Sequence, residues 1–97
     1  MSLKIFYTSD AQSTLAAVYN FIDKKFGSRT ADRFLTDAEK TISLIAENPL
    51  MFRASTFDVD VRIGFISKQT SLFYRVSEET IYLLFFWDNR QEPIFSY

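Results

Sequence analysis

Eight consecutive residues, Thr80 to Trp87, are β-branched, aromatic or aliphatic, and a segment of that kind has few places to go in a small protein. Read as a strand, it directs Ile81, Leu83, Phe85 and Trp87 to one face and Tyr82, Leu84 and Phe86 to the other. A strand that is apolar on both faces belongs in the interior of a sheet, covered on both sides. Upstream, Leu72, Tyr74 and Val76 alternate with Phe73 and Arg75, and only Ser77-Glu78-Glu79 separates the two runs. Two β-patterned runs joined by three polar residues predict a hairpin. The second run leaves through Asp88-Asn89-Arg90-Gln91 and stops at Pro93. That exit places a cation and two amides at the end of a sheet strand, where a functional site is expected.

The remainder of the chain supplies the cover. Leu3, Ile5 and Tyr7 alternate with Lys4 and Phe6, which predicts a first strand. Ser9-Asp10-Ala11-Gln12 fits a capping box with Ser9 as the cap, and Leu15, Val18, Tyr19, Ile22 and Phe26 then form one apolar stripe of a helix ending at Gly27. Ser28 can cap a second helix, striped by Ala31, Phe34, Leu35, Ala38, Ile42 and Ile45 and stopped by Asn48-Pro49. Residues 50–57 have no clean period and read as a loop with apolar anchors. Val59, Val61, Ile63 and Phe65 alternate with Asp58, Asp60, Arg62 and Gly64 and predict a strand, in which Gly64 marks a bulge or a close approach. Ser67-Lys68-Gln69 turns into the hairpin. The expected fold is α+β: an N-terminal strand, an antiparallel helical hairpin, then a three-stranded antiparallel meander, with the helices on one face of a small sheet. Residues 1–97 form one domain on this reading.

Composition narrows the chemistry. The 97 residues contain no cysteine and no histidine, which removes disulfides, thiolate metal sites and the commonest catalytic base and zinc ligand. No metal site and no cofactor is expected. Eleven Lys and Arg stand against twelve Asp and Glu, a net charge of -1, which argues against broad, sequence-independent nucleic-acid binding. The N-terminus turns polar after a short β-like run, so neither a signal peptide nor a membrane span is expected, and a cytoplasmic protein is the default.

The segments SLFYRV and FFWDNRQEP, preceded by Val61-Arg62 and by Glu47-Asn48-Pro49, resemble the RelE/ParE superfamily of toxins. The similarity extends over IFYTSDAQSTLAAVYNFI and ADRFLTDAEKTISLIAENP, nearly the whole chain. It implies the toxin component of a bacterial type II toxin-antitoxin, or plasmid stabilisation, system, neutralised by a cognate antitoxin from the adjacent gene. RelE-like members cut messenger RNA on the ribosome, whereas ParE-like members inhibit DNA gyrase without a known catalytic site. Arg62, Arg75 and Arg90 match positions where the family carries arginine. In a ribonuclease they would hold phosphate and stabilise developing charge, with Tyr97 as a proton-transfer group. This chain departs from the ribonuclease pattern in lacking histidine and in being acidic. The alternative for the arginines is ordinary ion pairing with Asp58, Asp60, Asp88 or Glu92.

Three readings follow: a ParE-like toxin that binds a protein such as DNA gyrase, a RelE-like endoribonuclease, or a degenerate member that only binds antitoxin. The first fits the missing histidines and the acidic charge. Arg75, Tyr82, Leu84, Phe86, Asn89 and Arg90 are the expected target- or antitoxin-binding residues, and the sheet face away from the helices is the expected antitoxin-binding surface, because Ile81 to Trp87 offers more apolar side chains than one helical hairpin can cover. A homodimer is a second way to bury that face.

Overall fold

The computed structural model describes residues 2–90. They form β1 (Lys4–Tyr7), α1 (Ser9–Phe26), α2 (Ser28–Glu47), β2 (Val61–Phe65), β3 (Thr70–Val76) and β4 (Thr80–Asp88). The sheet order is β1-β4-β3-β2. The meander is antiparallel, and β1 adds to it in parallel beside β4. The strand that is apolar on both faces is therefore interior, as its composition predicts. The predicted α+β architecture holds, with the helical hairpin covering one face.

Both helix starts differ from expectation in a way that polar chemistry explains. Thr8, not Ser9, caps α1: its hydroxyl accepts from the Ala11 N–H at 3.1 Å and donates to the Leu83 carbonyl at 2.7 Å. One side chain thus starts the helix and ties it to the central strand, which Ser9 could not do from within the first turn. Gly27 does end α1, at φ 97°, where its N–H donates to the Asp23 carbonyl. The same residue precedes α2, so Ser28 is already helical and no side chain caps that helix. A positive φ of this size suits glycine, which permits the immediate reversal between the helices.

The core lies between the hairpin and the sheet. Ala11, Val18 and Ile22 of α1 and Ala31, Phe34, Ala38, Ile42 and Ile45 of α2 pack on Leu72, Tyr74, Ile81, Leu83 and Phe86. Here the simple alternation of β4 fails. Phe73 pairs with Phe85 but Tyr74 pairs with Leu83, so Leu84 is an extra residue in β4, a β-bulge. The bulge exchanges the faces downstream: Phe86 joins Ile81 and Leu83 in the core at 0% exposure, while Phe85 stacks on Phe73 with ring centroids 4.3 Å apart on the other face. The expectation that Tyr82, Leu84 and Phe86 share an outward face is corrected on this point. Phe86 is core and offers no contact surface.

The bulge falls where β1 has ended and α1 begins, so β4 lacks a strand neighbour there. Two threonines replace it. Thr8 Oγ1 donates to the carbonyls of both Leu83 and Leu84, and the Phe86 N–H donates to Thr14 Oγ1 at 2.8 Å. The buried backbone groups that a bulge would orphan are thereby satisfied.

At the opposite edge, residues 50–60 run beside β2 as a loop. Its backbone bonds to the strand through Ser55 N–H to Val61 O and Ile63 N–H to Arg53 O, which protects an otherwise open edge. β2 begins at Val61 rather than Val59, because Asp58 Oδ1 accepts from the Asp60 N–H and turns the chain, leaving Val59 81% exposed. Gly64 is a close approach: a Cβ there would stand 2.9 Å from the Phe52 ring.

Candidate functional site

The three arginines that the sequence nominates for phosphate chemistry do not meet. Arg62 and Arg75 sit on adjacent strands, but the register pairs Val61 with Arg75 and Arg62 with Tyr74. The two arginines therefore leave opposite faces of the sheet. Arg62 shares the face of Tyr74, whose buried hydroxyl donates to the Pro49 carbonyl. Its Nη1 donates to the Phe52 carbonyl at 2.6 Å, fastening the loop to β2.

Arg90 stands at the other end of the meander. Thr70 pairs with Asp88, and Arg75 lies five residues along β3 from Thr70, about 17 Å at the usual rise per residue. Asp88 is fully buried and binds Arg90 through both oxygens, Nε at 2.9 Å and Nη2 at 2.6 Å. It also accepts from the Arg90 N–H and from the Thr70 hydroxyl. Burial by itself would push the Asp88 carboxyl up, but these four donors hold it below the usual carboxylate value, and Asp88 in return raises Arg90. The guanidinium lies 5.1 Å from the centroid of Phe26 at the end of α1. With Thr30, Arg33 and Phe34 of α2 it lines a recess of about 130 Å³ on the helical side. Arg90 thus belongs to the helix side of the molecule. The alternative of ordinary ion pairing accounts for it.

Arg75 is different. Its side chain is half exposed, and the only ion pair it makes among the described residues, to Asp58, is a loose 3.8 Å contact between two exposed groups. Such a pair holds little energy and releases easily. Across the sheet Arg75 is paired with Tyr82, and Tyr82 with Phe6. Phe6 is 53% exposed and Tyr82 37%, their rings edge to face at 5.7 Å. Lys4 shares the strand parity of Phe6. The result is a row across three strands of a cation beside two exposed aromatics, on the face away from the helices. Arginine and aromatics are the residue types that anchor protein interfaces.

Of the other nominated residues, Leu84 occupies the bulge and is half-buried. Asn89 donates its N–H to the Gln69 carbonyl at 2.6 Å, and its Oδ1 is buried without a partner among the described residues. Tyr97 lies outside the described residues. Phe6 was absent from the sequence-based site because its place in the row depends on parallel pairing with β4, a long-range contact with no local signal. Asp88 was legible only as one of several partners for an arginine. Among the described residues no group of three or more acidic side chains could hold a metal ion. Among the described residues no helix is long and apolar enough to cross a membrane.

The fold is similar to several solved toxin structures. A chain of the chromosomal ParDE TA system from P. aeruginosa superposes with a TM-score of 0.76 at 17% identity, covering 90% of this chain and 96% of that one. A chain of the RelBE2 toxin-antitoxin complex from Mycobacterium tuberculosis gives 0.65 at 14% identity, over 91% and 99% of the two chains. A copper-bound mutant toxin from Helicobacter pylori gives 0.61 at 21% identity, over 94% and 99%. No curated protein matches the sequence. Residues 5–93 match the family described as "ParE toxin of type II toxin-antitoxin system, parDE", and with that match the chain belongs to the ParE toxin family of type II toxin-antitoxin systems.

Proposed function

We propose that this toxin acts by binding a protein target such as DNA gyrase rather than by cutting RNA, and that a cognate antitoxin neutralises it. The observation that carries this reading is the divergence of Arg62, Arg75 and Arg90. Phosphoryl chemistry needs several charged groups aimed at one phosphate, and here one guanidinium is bound to a backbone carbonyl, one to a buried carboxylate, and the third is on the opposite face from the first. Without histidine, no side chain of ordinary near-neutral pKa is present to transfer the proton. Binding requires much less convergence. The Arg75, Tyr82 and Phe6 row already has the anchor residues, and Arg75 is only loosely engaged.

An antitoxin partner is supported by the resemblance to the ParDE and RelBE2 structures. Two assays on purified protein decide the target: inhibition of gyrase supercoiling and ribosome-dependent messenger cleavage. Inhibition of supercoiling without cleavage is expected. Cleavage that requires Arg75, with gyrase unaffected, would overturn the proposal.

A further inference from the structure

We infer that the row of Arg75, Tyr82 and Phe6 takes up a carboxylate side chain of the protein it binds, and that Asp58 occupies the place of that carboxylate beforehand and so tempers the binding. The inference rests on the reading that this row engages a protein target. The loop before β2 delivers Asp58 to the row. The ring of Phe57 packs over Phe73 with centroids 6.2 Å apart, and Phe73 lies two residues before Arg75 on the same face of β3. The next residue, Asp58, therefore falls beside Arg75. There the loop fixes it. The Ser55 hydroxyl donates to the Asp58 carbonyl at 2.6 Å and accepts from its N–H at 3.1 Å, while Oδ1 accepts from the Asp60 N–H at 2.9 Å. Oδ2 alone is left to face the arginine.

The pair stops short of bonding. Arg75 Nη2 and Asp58 Oδ2 are 3.8 Å apart, too far for a hydrogen bond. The same chain shows what a guanidinium and a carboxylate do when both can approach: Asp88 holds Arg90 through two oxygens at 2.9 and 2.6 Å. At Arg75 the attraction of opposite charges is present without the bonds, and its guanidinium N–H groups donate to no described residue. Neither does the Tyr82 hydroxyl. Asp58 thus keeps the guanidinium beside the row while leaving its donors unused.

An aspartate or glutamate of a partner is not tethered in that way. It can close on Arg75 in the two-pronged geometry that planar guanidinium favours, with the Tyr82 hydroxyl as a further donor and the exposed Phe6 ring as a floor for an apolar neighbour. Charge sets the limit to one such group. Asp60 precedes Val61, the residue paired with Arg75, and Glu78 and Glu79 follow close behind β3. A run of phosphates would meet these acids as well as Asp58, whereas a single carboxylate exchanges with Asp58 and leaves the local charge balanced.

Binding of the full chain to gyrase holoenzyme, and separately to a single-stranded RNA oligonucleotide, tests the inference. Asp58→Asn keeps an oxygen for the Asp60 N–H and removes only the charge, so its melting temperature should be retained. It is expected to bind gyrase about two- to fivefold more tightly than wild type, the range of an exposed ion pair. That gain should vanish in an Arg75→Gln background, and Asp23→Asn, which removes the same charge from the outer surface of α1, should give none. With Asp58→Asn in place, Arg75→Glu should weaken binding several-fold more than Arg75→Gln, because it sets like charges together. Equal losses from Glu and Gln would mean that the partner offers no carboxylate and would overturn the inference. So would a gain that survives Arg75→Gln or is matched by Asp23→Asn. Wild type that binds gyrase with the same affinity as Asp58→Asn would overturn the role of Asp58 and leave the protein-binding reading intact. Wild type that does not bind gyrase, or a gain from Asp58→Asn seen with RNA and not with gyrase, would overturn both.

Discussion

The two faces of the sheet divide the work of this small protein. On the helix side, Leu72, Tyr74, Ile81, Leu83 and Phe86 are all fully buried, and polar atoms that enter are answered: Tyr74 by a carbonyl, the Phe86 N–H by Thr14. On the other face, Phe73 is buried against Phe85, but the row beside it leaves Phe6, Tyr82 and Arg75 in contact with solvent. One face follows the rules of a protein interior. The other keeps exposed the residue types that bind partners well. On the proposed reading the difference separates stability from binding, and substitutions on the two faces test it.

The largest effect on the fold is expected at Leu83. Truncation to Ala in the middle of the closed face should cost about 2–5 kcal/mol, while Phe85→Ala, half-buried on the other face, should cost less. Urea unfolding of both variants measures the contrast, and equal losses would mean that the two faces are packed alike.

Next comes the buried carboxylate. Because Asp88 titrates below its ordinary value when folded, its contribution is fully present above the unfolded value near 4 and is lost as pH falls through the lower folded value. Wild type should therefore lose stability in acid below about pH 4, and Asp88→Asn should remove part of that acid dependence. Asp88→Asn also breaks charge-assisted bonds to Arg90 and should cost about 1.5–3 kcal/mol at neutral pH. Thermal melts across pH 2–7 would show an unchanged acid slope if the Arg90 pair contributes nothing.

A smaller loss is expected for Thr14→Val. This nearly isosteric change removes the acceptor for the Phe86 N–H, and an unsatisfied buried donor costs about 1–3 kcal/mol. Hydrogen exchange at the Phe86 amide should accelerate more than at strand amides remote from the bulge. Uniform acceleration would contradict a local role for Thr14.

These contrasts also explain what could be read from the chain alone. The composition of 80–87 announced an interior strand, and the stripes of both helices announced the hairpin, because burial leaves a periodic trace in sequence. The bulge at Leu84 left no trace. It is a property of pairing between β3 and β4, and it alone decides that Phe86, not Phe85, enters the core. The arginines show the same limit. Arg62, Arg75 and Arg90 match one family pattern, yet a single step of register sends Arg62 and Arg75 to opposite faces, and Asp88, two residues from Arg90, claims the third. Residue type was legible. Convergence was not, since it depends on which strands pair and in what phase.

The smallest effect on the fold should come from Arg75→Ala, within about 0.5 kcal/mol, because its one ion pair among the described residues is exposed and loose. Its effect on function should be much larger than that, with target affinity weakened by about 1–4 kcal/mol, as for other interface anchors. The most direct test of the central claim is to map messenger 5′ ends in cells expressing wild type and Arg75→Ala. The account predicts no new messenger ends with either protein, and growth inhibition that is weakened in the variant and titrated by added target. Codon-specific cuts present with wild type and absent with Arg75→Ala would contradict it and make the protein a ribonuclease.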